Sequence, residues 1–164
     1  MGYEIHGLIG RNEPVAHAAA ELGVLPVALP QGFAFLPGTV PDVDAGDPLP
    51  TDEQPLWWLT LDLEWAAISA SRIGPIAYVE AEFAHGLGSQ AAIVWSDGQI
   101  ALGPLHEDDE QAASRRVPLG QWPVNRALRH LSVQSGTCPD EFEALRLGRH
   151  RDTDSWRESA TSTR

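Results

Sequence analysis

The sequence predicts a single α+β domain built on an antiparallel sheet centred on residues 76–102. Three observations support this fold class. Strand-like runs joined by short glycine-containing turns follow one another in that range, and the Asp97-Gly98 pair between apolar runs is a strong hairpin signal. Segments with the 3–4 apolar spacing of helices lie on either side of it. The length of 164 residues matches one domain and is enough to bury a core.

The central meander is expected to contain three strands. They are predicted at Ile76–Phe83, Gln90–Trp95 and Gln99–Leu102. In the first run apolar residues alternate with Glu80 and Glu82, which predicts one buried face and one face in water. The second run is apolar on both faces, so it is expected to lie centrally. The glycines of the turn 85–89 fit a hairpin that needs positive φ.

The chain before the meander predicts a strand, a helix and two extended runs. The strand is expected at Tyr3–Ile9, and the helix at about 13–22, where the side chain of Asn12 can cap its first turn. The proline-flanked runs Val24–Leu29 and Phe33–Leu36 suit edge strands or extended segments, because proline cannot donate to a sheet ladder.

Residues 37–55 contain five prolines and five acidic residues, which predicts a surface loop. Its aspartates do not fit a calcium-binding loop, because Asp47 stands where such a loop needs glycine. The next segment, 56–72, has helical spacing and predicts a helix. It carries a tryptophan cluster that is expected to lie mainly in the core, namely Trp57, Trp58 and Trp65.

The last third of the chain predicts two helices, at 124–133 and 139–145. The acidic run 107–110 is expected to be a solvated loop. The basic and acidic residues of 149–154 favour local ion pairs. We expect one globular domain over residues 1–157, followed by a frayed tail at 158–164.

The net charge of −12 is unevenly distributed along the chain. Residues 1–114 hold 17 acidic residues against two arginines, whereas residues 115–164 hold nine arginines against six acidic residues. Such an acidic protein repels nucleic acid and anionic membranes, so neither is expected as a partner. A basic protein is the complementary partner.

Several classes of site and location are disfavoured by the sequence. No run approaches the ~18 apolar residues of a membrane helix, and no secretory signal is present. The single cysteine, Cys138, fits a reducing compartment, so we expect a cytoplasmic protein. The dispersed histidines and the absence of nucleotide or nucleophile motifs predict no metal and no cofactor.

Two sets of candidate functional residues follow. The first is a partner-binding set of acids and tryptophans: Asp42, Asp44, Asp47, Asp52, Glu53, Trp57, Trp58, Glu107, Asp108, Asp109 and Glu110. The second is an alternative catalytic set, in which Glu80 and Glu82 divide acid and base roles beside His85. A small hydrolase would use this second set, and a non-catalytic subunit of a larger assembly would need neither.

A family resemblance covers about residues 74–156. It is carried by three segments, which read AYVEAEF…GLGSQAAIVW…GPL, PVNRALRHLSV and DEFEALRLGRHRDTDSW. They resemble a group of small uncharacterised bacterial proteins, some of which are similar to the immunity proteins that accompany secreted polymorphic toxins. The resemblance implies a binding protein that neutralises a cognate toxin, and it assigns no functional residues. This protein-binding function is the preferred expectation, ahead of the hydrolase and the subunit.

Overall fold

A computed structural model describes residues 2–162 and shows one antiparallel sheet with helices on both faces. The strands are β1 (Tyr3–Arg11), β2 (Val27–Ala28), β3 (Phe33–Pro37), β4 (Ile76–Ala84), β5 (Leu87–Ser96) and β6 (Gln99–Asp108). The α-helices are α1 (Asn12–Leu22), α2 (Leu61–Ala70), α3 (Asp109–Arg115), α4 (Pro123–His130), α5 (Glu141–Ala144) and α6 (Thr153–Ser162). The predicted α+β class is confirmed. Within residues 2–162, no helix is long and apolar enough to cross a membrane.

The strand order is β2-β3-β1-β4-β5-β6, and all neighbouring strands are antiparallel. The predicted meander is present as β4–β5–β6, and it forms one half of the sheet. The N-terminal strand β1 lies between β3 and β4, at the centre. The run 33–36 was expected at an edge, yet β3 pairs with β1 on one side and β2 on the other. Pro30 and Pro37 lie outside or at the end of that pairing, so neither removes a ladder hydrogen bond.

The sheet separates two apolar cores. On one face, residues such as Ile9, Val79 and Val94 pack against α4 and α6. On the other, residues such as Tyr78 and Trp95 pack against α1 and α2. The run 91–95 is buried on both faces, as predicted. The first six residues of β4 are buried as well, so the prediction that its second face lies in water is wrong up to residue 81.

Helix α2 is shorter than the predicted helix at 56–72. Thr60 caps it, with its Oγ1 accepting a hydrogen bond from the Leu63 backbone N–H at 3.1 Å, and residues 56–59 precede the cap as non-helical chain. The helix buries a stripe of Leu63 and three alanines, which leaves Trp65 on its outer side, 68% exposed. Trp57 is 66% exposed. The prediction that the tryptophans lie mainly in the core is therefore wrong for Trp57 and Trp65.

The loop at 37–55 is ordered by its own aspartates. Asp42 caps a 3₁₀ turn at Val43–Ala45 by accepting hydrogen bonds from two backbone N–H groups. Asp47 accepts from the backbone N–H of Asp42 at 2.8 Å and from that of Leu61 at 2.9 Å. The loop is thereby tied to the first turn of α2, which fixes the position of the chain that leads into the helix.

The C-terminal third differs from prediction in two places. The acidic run 107–110 is not a loop, because its first two residues end β6 and the last two begin α3. Residues 158–162 are the last turns of α6 rather than a frayed tail, and Ala160 packs into the core. Residues 163–164 lie outside the described part of the chain. In the cluster 149–154, Asp152 accepts from the backbone N–H of Ser155 at the start of α6.

Candidate functional site

The strand registers gather polar side chains at one end of the sheet, on the face that carries α2. One row of cross-strand neighbours runs Glu4, Glu82, Ser89 and Asp108, and the next runs His6, Glu80, Ala91 and His106. Directly opposed residues of antiparallel strands point to the same face about 5 Å apart. The two rows therefore place four carboxylates and two imidazoles on one patch of the sheet.

Glu80 fixes the chain that enters α2. Its carboxylate accepts hydrogen bonds from the backbone N–H of Trp57 at 2.9 Å, the backbone N–H of Trp58 at 2.6 Å and the Tyr78 hydroxyl at 2.9 Å. Burial raises the pKa of Glu80, although these three hydrogen bonds and the nearby His6 act in the opposite direction. Burial and the adjacent Glu80 carboxylate also raise the pKa of Tyr78 well above its ordinary value.

His6 and Glu4 join β1 to the start of α6. His6 Nδ1 lies 2.5 Å from Glu4 Oε1, and the Thr153 hydroxyl donates to the same oxygen at 2.8 Å. Partial burial opposes ionisation of Glu4, but the hydrogen bonds from His6 and Thr153 outweigh it and lower the pKa of this carboxyl. Thr153 and Glu4 both contact Nδ1, so the three groups do not form a proton relay through the two ring nitrogens. The cluster is structural.

The predicted catalytic set is not brought together. Glu80 is 6% exposed and its carboxylate already accepts three hydrogen bonds. His85 is exposed at the tip of the β4–β5 turn with φ of 55°. His85 lies five residues beyond Glu80 along the extended chain, which corresponds to a distance on the order of 15 Å between the two residues. Glu82 is exposed on β4. The geometry therefore gives Glu80 a structural role and leaves no acid–base pair among these residues.

Two adjoining depressions lie along the polar rows and share Ser89 and Asp108. The first, of about 690 Å³, runs along Trp57 and is also lined by Asp52, His106 and Gln111. The second, of about 370 Å³, has four carboxylates in its wall, those of Glu82, Asp108, Asp109 and Glu110. We call the two together the acidic groove. None of the described residues that line it is an arginine.

The acidic groove brings together part of the predicted partner-binding set. Asp52, Trp57, Asp108, Asp109 and Glu110 line it. Other members lie elsewhere.

Trp58 is half-buried and stacks on His6 with ring centroids 5.2 Å apart. Glu107 is not an exposed acid, because it is 6% exposed and both its carboxylate oxygens accept from Arg115 Nη2, at 2.6 and 2.7 Å. Asp42 and Asp47 order their own loop, and Asp44 and Glu53 are exposed outside the groove lining.

A further depression, on the opposite face of the sheet end, was not predicted. It has a volume of about 270 Å³, and aromatic side chains form much of its wall. Its lining includes Tyr3, Phe83, Leu119, Trp122 and Phe142 together with Asp109. We call it the aromatic pocket. The exposed apolar residues Phe83 and Leu119 at its rim are separated by 36 positions in the chain, so the pattern of either segment alone does not indicate a pocket.

Within residues 2–162, no group of three or more histidine, cysteine, aspartate or glutamate side chains is arranged to hold a metal ion. The features that remain for function are an acidic groove with an exposed tryptophan and an aromatic pocket beside it. Comparison with known proteins found no matching family model, no matching curated protein and no matching solved structure.

Proposed function

We propose that this protein is a cytoplasmic binding protein of the immunity type, which neutralises a basic toxin domain by direct contact through the acidic groove. The observation that carries the proposal is the acidic groove itself. It combines five carboxylates with an exposed tryptophan, and its described lining contains no arginine to neutralise them. The exposed single cysteine, Cys138, fits the reducing cytoplasm.

The carboxylates suit electrostatic attraction of a basic partner. Exposed ion pairs contribute about 0–1 kcal/mol each, so no single acid of the groove dominates the binding energy. Their summed field instead raises the association rate, and this effect weakens as salt screens it. We therefore assign the acids to recognition and rate. The outer aspartates of the loop 37–55 extend the same negative field.

Trp57 supplies the buried contact that a tight complex needs. Its side chain is 66% exposed, while its backbone N–H is held by the Glu80 carboxylate at 2.9 Å. A large aromatic side chain on a fixed backbone loses little conformational freedom on binding, which is the common property of interface hot spots. Truncation of such an anchor typically costs 2 kcal/mol or more, roughly a 30-fold loss of affinity.

The test is stopped-flow association with the product of the adjacent gene, which the proposal expects to be a secreted toxin with a basic domain. One variant neutralises the groove, with Asp52, Glu82, Asp108, Asp109 and Glu110 changed to the matching amides. A matched control removes the same charge from exposed acids elsewhere, namely Glu13, Glu21, Asp62, Asp97 and Glu158.

The proposal expects the on-rate to fall steeply as salt rises and to drop ten-fold or more in the groove variant. The control variant should change it much less. No association, a salt-independent on-rate, or an equal loss in both variants would contradict the proposal.

A further inference from the structure

The aromatic pocket lies between the end of the sheet and the segments around α4 and α5. Tyr3 and Phe83 are cross-strand neighbours on β1 and β4. Both side chains therefore point to the same face of the sheet, opposite the face that carries α2 and the polar rows. Trp122 precedes α4 and Phe142 lies in α5. With Asp109 at the start of α3, the pocket is thus built from five separate parts of the chain around one end of the sheet.

The inner walls of the pocket are held in place by packing and hydrogen bonds. The Tyr3 hydroxyl donates to the Leu147 carbonyl at 2.9 Å, and the Tyr3 ring meets the Phe142 ring edge-on, with centroids 5.9 Å apart. Trp122 is 7% exposed. The rim differs, since Phe83 is 50% exposed and Leu119 is 60% exposed. A fixed apolar interior with an exposed apolar rim is typical of a site that a partner covers.

Two acidic residues, Glu82 and Asp109, line this pocket, and the carboxylate of Asp109 is fixed at its wall. Asp109 Oδ2 accepts a hydrogen bond from the backbone N–H of Gly88, which holds the side chain against the β4–β5 hairpin. A Cβ atom placed on Gly88 would lie 3.2 Å from Phe83 Cδ2 and 3.3 Å from Asp109 Oδ2. The phenyl ring and the carboxylate therefore converge on one point at the pocket wall. By strand alternation, the Glu82 side chain points to the other face.

We propose that the aromatic pocket seats an arginine side chain of the basic partner, an inference that rests on the proposed function. The hydrocarbon stem of arginine packs on apolar walls, and its planar guanidinium stacks on aromatic rings and forms hydrogen bonds with carboxylates. The chain itself uses this contact elsewhere, where the guanidinium of Arg11 lies 4.2 Å from the centre of the Phe33 ring. The pocket volume of about 270 Å³ exceeds the ~150 Å³ that holds benzene in an engineered cavity.

Other occupants fit less well. A purely apolar side chain would remove the Asp109 carboxylate from water and leave it only the neutral Gly88 N–H as a partner, which is costly for a charged group. A lysine ammonium is compact and strongly hydrated, so it stacks less well on aromatic rings than guanidinium does. An anionic group would be repelled by Asp109 and by the neighbouring acids of the groove.

The two sites adjoin each other at the end of the sheet. The aromatic pocket and the acidic groove both include Gly88, Ser89 and Asp109 in their walls. A partner that reaches over the tip of the β4–β5 hairpin can therefore meet the carboxylates on one side and place an arginine in the pocket on the other. This arrangement gives the complex a second anchor besides Trp57.

The test uses amino acid derivatives as probes and needs no toxin. Doubly capped arginine, lysine and norleucine are titrated into the full-length protein, and their dissociation constants are measured from NMR chemical shifts. Arginine is expected to bind at least five-fold more tightly than the other two. Equal binding of norleucine would overturn the assignment of a cation, equal binding of lysine would overturn the assignment of guanidinium, and no binding of any probe would overturn the site.

Two variants separate the contributions of charge and ring. Asp109→Asn keeps an acceptor for the Gly88 N–H but removes the charge, and Phe83→Leu keeps an apolar group but removes the ring. Each should weaken arginine binding at least three-fold without lowering the melting temperature by more than a few degrees. Glu13→Gln, an exposed acid on α1 at the opposite end of β1 from Tyr3, is the matched control and should leave it unchanged.

If either Asp109→Asn or Phe83→Leu binds arginine as well as wild type, the inference is wrong. If a variant unfolds, Gly88→Ala replaces it, since its methyl group would stand between ring and carboxylate and should block binding. Arginine binding without any association with the toxin would contradict the proposed function but not the chemistry of the pocket.

Discussion

Replacement of Glu80 by alanine tests the assignment of this carboxylate as the support of Trp57. In the wild type Glu80 accepts hydrogen bonds from the backbone N–H groups of Trp57 and Trp58 and from the Tyr78 hydroxyl. Alanine removes both carboxylate oxygens and therefore all three hydrogen bonds at once. Glu82→Ala is the matched control, because Glu82 lies two residues further along the same strand and is exposed.

The expected destabilisation follows from the burial of these groups. A buried donor left without an acceptor costs about 1–3 kcal/mol. Tyr78 is buried and Trp58 is half-buried, whereas Trp57 is exposed beside the open groove, so we count the losses at Tyr78 and Trp58, which give about 2–6 kcal/mol. Release of a buried carboxylate from its own desolvation cost offsets part of this. We therefore expect a net loss of about 2–4 kcal/mol.

Urea denaturation followed by circular dichroism and tryptophan fluorescence measures this loss. A typical domain is stable by about 5–15 kcal/mol, so Glu80→Ala should remain folded with a clearly lower midpoint. Glu82→Ala should lie within about 0.5 kcal/mol of the wild type, as expected for an exposed side chain. An unfolding free energy of Glu80→Ala within the same 0.5 kcal/mol of wild type would refute the structural role of this carboxylate.

Three further predictions concern stability. Burial raises the folded-state pKa of Glu80 above its unfolded-state pKa. The stability advantage of the wild type over Glu80→Gln should therefore be greatest below the unfolded-state pKa and should shrink as the pH rises through the folded-state pKa. An advantage that grows with pH in urea titrations would contradict this. Gly38→Ala would place a Cβ 2.6 Å from the buried His6 ring, and we expect a loss of about 1–3 kcal/mol by the same titration; a neutral result would show that the ring moves freely. Val94→Asp puts a charge at a fully buried position of β5 and should abolish the cooperative thermal transition, whereas native-like melting would contradict the burial of this part of the strand.

The fold could be predicted from the sequence where local pattern decides the structure. The alternation in β4 and the turn at Asp97-Gly98 depend only on neighbouring residues, and the meander was predicted from them. The position of β1 could not be predicted, because it depends on pairing His6 with Glu80 across 74 positions of chain. The burial of Glu80 depends on the same pairing, because β1 and the segment before α2 cover this side chain only in the folded protein.

The acidic groove was partly predictable and the aromatic pocket was not. Asp52, Trp57 and Asp108 stood out by residue type, and the structure places them along one depression. Glu107 has the same chemistry but is neutralised by Arg115, which the turn of α3 returns to it eight positions later. The pocket depends on tertiary contacts alone. The sequence shows only Phe83 next to a glycine-rich turn, which a sequence pattern treats as an ordinary hairpin, and the exposure of Phe83 is seen only in the structure.

The most direct test of the proposed function is the titration of toxin activity with this protein. The purified product of the adjacent gene is assayed at fixed concentration while wild-type protein, Trp57→Ser or the variant with five groove acids neutralised is added. We predict that the wild type abolishes activity at a one-to-one ratio and that Trp57→Ser needs at least a ten-fold excess. The groove variant should inhibit more slowly. Full toxin activity in the presence of excess wild-type protein, or inhibition unchanged in both variants, would contradict it.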